Sequence, residues 1–327
     1  MISQGSQLSK KSIPSAFSSF LCTFGETYDE RLLDSPAKSE NSLAPLCFSI
    51  GRKVKFSHTS FFLRKDRRYE NEIVRHSPCT SFICVRGDSL IDSGNNNFLQ
   101  TIAVANYKPY GIDFSLGSTA ESLGLPYVPA YLSLSNDEKS KLTTGVNYAS
   151  GSAGILPETG TALGKKLGFH EQINRFMSTV ANDLPKSGVD QYLSKSIFVI
   201  SVGSNDYINI YIQPGTYNSS SIYNPRQYAI LLLSRLEQGL RRLYSIGARK
   251  FVVFELGPLG CLPAVVNSAN PKPITPCVEA VNKLVIIFNT KLPGTILKLR
   301  IELKTSTFVR GNIYQSSYVT SLRPSTF

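Results

Sequence analysis

Ser89 lies at the end of the run Phe82-Ile83-Cys84-Val85-Arg86-Gly87-Asp88-Ser89-Leu90, one residue before its last. A serine hydroxyl acts as a nucleophile when the fold exposes it and a neighbouring base takes its proton. The four residues before Arg86 are apolar, as in a short strand covered on both faces, and Gly87 lets the backbone turn sharply after them. The run therefore brings a hydroxyl to the carboxyl end of a strand, where ligands collect in open α/β sheets. Ser and Asp are also ordinary helix N-caps, so these residues taken alone leave nucleophile and cap both open. Arg86-Gly87-Asp88 has the form of an adhesion tripeptide as well, a role that burial at a strand end would deny it.

Two other stretches carry residues suited to an oxyanion. Residues 196–202 form a second apolar run, followed by Gly203-Ser204-Asn205-Asp206. An Asn side-chain amide at a strand end can donate to charge developing on a neighbouring strand's ligand, an interaction worth about 3 kcal/mol in catalysis. Residues 145–155 read as a strand ending in small side chains, where a backbone N–H can approach a substrate closely. Gly154 is the donor chosen there and Gly151 its competitor; the spacing does not decide between them. Plain turn chemistry accounts for both stretches equally well on local grounds.

The elements that must position these groups alternate between strand and helix. Asn224-Pro225 starts a helix whose apolar face runs through Ile230, Leu233, Leu236, Leu240 and Leu243 to a stop at Gly247. The strand at 251–254 follows, and a crossover of this length implies a parallel sheet. His170-Glu171-Gln172 opens an amphipathic helix with Ile173, Phe176, Met177 and Val180 facing the core. His170 itself is expected to be an exposed first-turn residue. The last helix, from Val278 through Phe288, is expected to break at Pro293-Gly294, and a strand near 308–314 ends the recognisable pattern. The Asn-rich 94–97 reads as loop and turn.

Five separated blocks resemble the plant-type GDSL esterase/lipases, a branch of the SGNH hydrolases, in that family's order. They are the block around Gly87-Asp88-Ser89-Leu90 through Phe98, Asn106-Tyr107-Lys108-Pro109-Tyr110-Gly111, Gly145-Val146-Asn147-Tyr148-Ala149-Ser150-Gly151, Val199 through Tyr207, and Leu256-Gly257-Pro258-Leu259-Gly260-Cys261-Leu262-Pro263. The resemblance covers roughly residues 80 to 315 and implies a three-layer α/β/α fold with a mainly parallel, flavodoxin-like sheet. It implies an ester hydrolase acting on acyl esters of lipids or small alcohols, with Ser89 as nucleophile and Gly154 and Asn205 as oxyanion donors. It also implies a disulfide between Cys261 and Cys277, worth roughly 3 kcal/mol in an oxidising compartment; in a reducing one they stay free thiols. An extracellular location follows from the family. No metal or organic cofactor is implied.

Three departures from the family stand out. Residues 1–78 match nothing in it, contain no apolar core of the kind a secretory signal needs, and read as a poorly ordered extension before a hydrolase-like domain over 79–327. The segment at 113–126 joins two family pieces without the helix expected between them, which would uncover one face of the sheet. The family's base is a histidine near the C-terminus, three residues after an orienting aspartate, and residues 315–327 contain neither type. The chain's three histidines are His58, His76 and His170. The expectation is a C-terminally truncated relative with very low turnover, or an inactive relative that binds without reacting.

Composition excludes other classes. At 327 residues and 42% hydrophobic content the chain is long enough for one large domain with an ample core. The net charge of +12 raises nucleic acid as a partner. The cations at Lys10-Lys11, Arg52-Lys53, Arg64-Lys65-Asp66-Arg67-Arg68 and Arg241-Arg242 are scattered and partly interleaved with acids, which describes a solvated surface. No apolar run is long enough to span a membrane. The cysteines Cys22, Cys47, Cys79, Cys84, Cys261 and Cys277 lack the paired short spacings of a zinc site.

Overall fold

Five short strands pair into one sheet: β1 (Ile83–Gly87), β2 (Gly145–Asn147), β3 (Ile197–Ser201), β4 (Lys250–Phe254) and β5 (Thr307–Gly311), in the order β2-β1-β3-β4-β5. The computed structural model describes residues 83–107, 128–142 and 144–323. The extension over 1–78, His58, His76, Cys22, Cys47, Cys79 and the join at 113–126 lie outside the described residues. Every strand pairing is parallel, with Cys84 opposite Val146 on one side and Phe198 on the other. This is the strand order of flavodoxin-like sheets, in which the winding reverses between β1 and β3. The α/β fold with a parallel sheet expected from the sequence is the fold observed.

Three long helices connect the later strands: α1 (Phe169–Asn182), α2 (Pro225–Ile246) and α3 (Glu279–Glu302). α2 begins where the sequence places it. Asn224 Oδ1 accepts from the Gln227 N–H at 3.0 Å and Gln227 Oε1 accepts from the Asn224 N–H at 2.9 Å, a reciprocal cap ahead of Pro225. It ends at Gly247, whose φ of 122° suits glycine. α3 departs from expectation by continuing through Pro293 to Glu302. A proline inside a helix costs about 3 kcal/mol, but Phe288, Leu292, Ile296 and Leu299 form one buried stripe across the break, and its burial outweighs the lost bond. A fourth helix that the sequence did not announce, α4 (Tyr314–Leu322), follows β5. β2 is also shorter than the strand read over 145–155. After Asn147 the chain stays beside β1 only through Tyr148 N–H to Val85 O at 2.8 Å and Ser150 N–H to Gly87 O at 3.1 Å.

The two faces of the sheet are covered differently. Cys84, Phe198, Phe251 and Phe308 are register partners on one face and all are buried. Phe198 meets Phe251 at 5.8 Å between ring centroids, Phe251 stacks on Phe308 at 4.4 Å, and Phe176 of α1 stands edge-on to Phe198 at 5.4 Å. The core cluster takes in this row and the apolar stripes of α1, α2 and α3. The alternate row is Val85, Val199, Val252 and Val309, and only Val252 is fully buried. Right-handed crossovers put the β2→β3, β3→β4 and β4→β5 connections on one side and assign β1→β2 to the other; much of that connection lies outside the described residues.

Arg86 falls on the packed face, one residue pair along from Cys84, and is fully buried. Its guanidinium carbon lies 4.4 Å from the Phe176 ring centroid, 5.1 Å from Tyr148 and 5.4 Å from Phe198. None of its three nitrogens has an oxygen acceptor among the described residues. Burial raises the pKa of the neighbouring Cys84 thiol although the Arg86 charge opposes that shift. With Arg86 and Asp88 both buried, the adhesion tripeptide has no exposed face to offer.

Candidate active site

Ser89 follows β1 at the reversal point of the sheet, beside the end of β3. Gly87 is required there, since a Cβ on it would lie 2.1 Å from the Ser201 carbonyl oxygen. The next N–H, that of Asp88, donates to the same Ser201 oxygen at 3.1 Å, so the turn is tied to β3 as it leaves the sheet. Asp88 Oδ1 accepts from Leu90 N–H at 3.1 Å, closing an Asx turn around the serine. Ser89 itself is exposed.

Gln172 on α1, fully buried, grips the same point. Its Oε1 accepts from Gly87 N–H at 2.9 Å while its Nε2 donates to Gly87 O at 2.8 Å and to Leu167 O at 2.7 Å. The sequence pattern marks this residue only by its place among α1's inward-facing positions, a polar group where an apolar one is expected. The Asn-rich segment is likewise more than a loop. Asn95–Phe98 forms a 3-10 turn. Asn95 Nδ2 donates to Asn147 O and Ala149 O, both at 2.8 Å, and Asn147 Nδ2 donates back to Ile91 O at 2.6 Å. These bonds lash the serine turn to the chain leaving β2.

Asn205 is placed by the helical turn that follows β3, Ser204–Asp206. Its Nδ2 donates to Ala153 O at 2.9 Å and its Oδ1 accepts from Asn209 Nδ2 at 3.3 Å, which fixes the amide orientation. An amide nitrogen carries two hydrogens, so one remains for a ligand. Asp206, fully buried, turns the other way and holds the loop after β2. Its carboxylate accepts from Ile155 N–H at 2.8 Å, Leu156 N–H at 2.9 Å and the Thr159 hydroxyl at 2.7 Å.

Two hollows meet at Ser89. The first, about 330 Å³, is bordered by Ser89, Asn205, Leu90, Ile208, Leu259 and Leu262, with α4 closing one side through Ser317 and Ser321. The second, about 250 Å³, is bordered by Ser89, Asp92, Ser93, Asn96, Asn97 and Gly151. The glycines divide accordingly. Gly151 borders the second hollow, with its N–H donating to Asp92 Oδ2 at 3.0 Å. Gly154, the donor chosen from the sequence, borders neither: a Cβ there would meet Thr159 at 2.3 Å and Asp206 Oδ2 at 2.7 Å. Gly154 packs instead into the Asp206 contact, a long-range placement on which the spacing is silent.

His170 is the one histidine among the described residues. It lies exposed on the first turn of α1, as expected, with Nε2 2.7 Å from Arg242 Nη1. The hollow it borders, with Glu158, Tyr228 and Arg235, is not one that Ser89 borders. Cys261 and Cys277 are joined, with an S–S length of 2.04 Å, and Cys261 lies on the rim of the first hollow. Among the described residues Cys84 is the free cysteine.

Both buried carboxyls near the site have raised pKa values. Burial pushes Asp88 up to about 7, against the Leu90 hydrogen bond and with some help from Asp206. Burial also pushes Asp206 up to about 6, although its three hydrogen bonds oppose the shift. Each therefore keeps a proton in the fold at a pH where an unfolded-chain aspartate has lost it. For an acid of raised pKa the native state binds more protons than the unfolded one, so stability falls as pH rises from about 4 to 7. Thermal melts are expected to show the wild-type fold losing stability between pH 5 and pH 7.5. Asp206→Asn should reduce that loss by about 1.4 kcal/mol, and an unchanged slope in the variant would contradict the assignment.

No helix among the described residues is long and apolar enough to cross a membrane. The profile of the GDSL-like lipase/acylhydrolase family matches residues 83–325. GDSL esterase/lipase 7 of Arabidopsis thaliana is 40% identical over 269 residues, covering 77% of this chain and 74% of that protein. Two further Arabidopsis GDSL esterase/lipases are 42% and 40% identical, covering 70% and 69% of this chain and 64% and 61% of their own lengths. The chain thus spans between about three fifths and three quarters of these relatives. With the serine turn at the switch point of the sheet, and the match running across nearly all of the described fold, the chain belongs to the GDSL-like lipase/acylhydrolase family.

Proposed function

We propose that this site is built for acyl transfer from esters of lipids or small alcohols to Ser89, followed by hydrolysis. One observation carries the reading above the rest: Ser89 and Asn205, from the ends of adjacent strands, border the same hollow. In the first half-reaction Ser89 Oγ bonds to the acyl carbon as its proton passes to a base. The carbonyl oxygen takes up negative charge, and the free Asn205 N–H donates to it. Gly151 N–H, which borders the second hollow, serves as the second donor once it leaves Asp92 Oδ2, with Gly154 as the alternative. The C–O bond to the alcohol then breaks with a proton delivered to the leaving oxygen, and water repeats the sequence to release the acid.

The proton acceptor is the one part of this chemistry not found beside Ser89 among the described residues. A serine hydroxyl is almost wholly protonated at neutral pH, and His170, with Nε2 beside Arg242 Nη1, borders a hollow that Ser89 does not. Among the described residues no histidine is positioned to take that proton, and a site with none keeps only the acceleration from binding and the oxyanion donors, about 10³-fold over water. A second reading is a GDSL relative that binds esters without turning them over, favoured by the placement of His170 at a hollow that Ser89 does not border. The paired Cys261–Cys277 and an exposed Asn218 in an Asn-Ser-Ser sequon favour an extracellular, oxidising location.

Hydrolysis of a short-chain activated ester by the 327-residue protein and by Ser89→Ala is expected to give rates within about tenfold of each other. A wild-type rate about 10⁴-fold above the variant would show that the chain holds its own base, and the low-turnover reading would fall.

A further inference from the structure

The hollow that His170 borders, about 510 Å³, is of a size that holds small molecules in other proteins. It opens between the loop after β2, the first turn of α1, Tyr223 and the first half of α2. Pro157 on its wall is exposed, Tyr223 and Leu231 are half-buried, and Leu156 and Phe169 are buried. The polar groups of these walls are already matched. Ile155 N–H and Leu156 N–H donate to the Asp206 carboxylate at 2.8 and 2.9 Å, and the Tyr228 hydroxyl donates to Asp206 O at 2.9 Å. Hydrocarbon laid there strands no donor, and each methylene withdrawn from water adds to affinity. The rim is cationic. Arg235 is exposed there and donates to the neutral Gln238 Oε1 at 3.2 Å. Arg242 adjoins His170, with Nη1 2.7 Å from Nε2 and Nη2 3.1 Å from Met177 Sδ. Neither arginine has an acidic partner among the described residues, whereas Arg175, Arg241 and Lys298 each have one. Glu158 is the acid on the rim. Its charge is shared with Lys166, whose pKa burial lowers against the opposing charges of Glu171 and Glu158.

A guanidinium without a counter-ion, beside an apolar wall whose polar groups are matched, suits an anion that carries hydrocarbon. We propose that this hollow is a second binding site, for a single-chain carboxylate amphiphile of the fatty-acid class, with its chain against Pro157, Tyr223 and Leu231 and its carboxylate on Arg235. Two N–H groups of the guanidinium match the two carboxylate oxygens, and Arg242 adds positive charge behind His170. The site stands apart from the esterase reading, since nothing in it requires Ser89 to react.

Octanoate and 1-octanol share a chain length and differ in charge, and ligand-observed NMR titration of the full chain measures the affinity of each. Octanoate is expected to bind at least about fivefold more tightly, and Arg235→Gln to remove most of that margin while leaving 1-octanol within about twofold. Arg235 is exposed and bonded to a surface amide, so the variant should fold as the wild type does. The hollow beside Ser89 is also apolar, and Leu262→Asp at its rim separates the two sites. Octanoate affinity should survive that substitution within about twofold, as expected for independent sites. A dodecanoate bearing a diazirine on its chain gives the location by photocrosslinking and peptide mass spectrometry, with adducts expected on the peptides carrying 155–158 and 223–235. Equal affinities in the wild type, a preference that survives Arg235→Gln, loss of octanoate binding in Leu262→Asp, or crosslinks confined to 259–262 would each overturn the proposal. Because no readout needs turnover, failure of the esterase reading, seen as hydrolysis that does not depend on Ser89, would leave the octanoate result standing.

Discussion

Added imidazole is expected to accelerate ester hydrolysis by the wild-type chain and to leave Ser89→Ala at the rate of imidazole in free solution. Ser89 borders an open hollow of about 330 Å³ that also holds Asn205, so a small base can reach the serine while the oxyanion donor stays in place. A positioned general base contributes about 10²- to 10⁴-fold. A diffusing one forfeits part of that for want of orientation, so the Ser89-dependent gain should be on the order of tenfold or more. The gain should saturate with imidazole concentration, as binding in a hollow requires, whereas the solution reaction stays linear. Bulky N-substituted imidazoles should lose the effect. Equal acceleration of wild type and Ser89→Ala would mean that proton acceptance is not what the site lacks.

Arg86→Met is expected to raise stability. The guanidinium is fully buried among Tyr148, Phe176 and Phe198, and its nitrogens lack oxygen acceptors among the described residues. Contact with three rings returns about 2 kcal/mol or more when desolvated, yet a buried charge loses several kcal/mol of hydration. Methionine has a similar unbranched reach, packs well against aromatic rings and has nothing to solvate. Replacing buried charged groups by apolar ones of like volume has stabilised other proteins by about 1–4 kcal/mol. For a domain of this size that corresponds to a rise of roughly 2–4 °C per kcal/mol in Tm. Arg86→Ala should do worse than Arg86→Met, because it leaves a cavity. A lower Tm for Arg86→Met would indicate that the cation–ring contacts outweigh the lost hydration.

The parts of the fold legible in the sequence were those written in local chemistry. The serine turn could be read because an apolar run met Gly87, and α2 because Asn224-Pro225 marks its start and Gly247 its stop. Where long-range packing decides, the sequence was silent or misleading. Pro293 signals a break, but the buried stripe on either side of it holds α3 straight through. Gly151 and Gly154 are indistinguishable by spacing; what separates them is that Asp206, some 50 residues later, draws the loop around Gly154 onto itself. Gln172 could not be recognised as a clamp, because its partner Gly87 is 85 residues away. The cage around Arg86 is assembled from β1, β3, α1 and the segment after β2, so neither the burial of the charge nor its cost could be read from the run in which it sits.

Covalent capture of Ser89 tests the central claim most directly. The full chain would be incubated with an activated alkyl phosphonate ester and imidazole, and the adduct mapped by peptide mass spectrometry. The account predicts a single adduct on the peptide carrying Ser89, none in Ser89→Ala, and little labelling when imidazole is left out. Labelling of Ser204 or His170 in its place, or no labelling at saturating imidazole, would contradict Ser89 as the nucleophile.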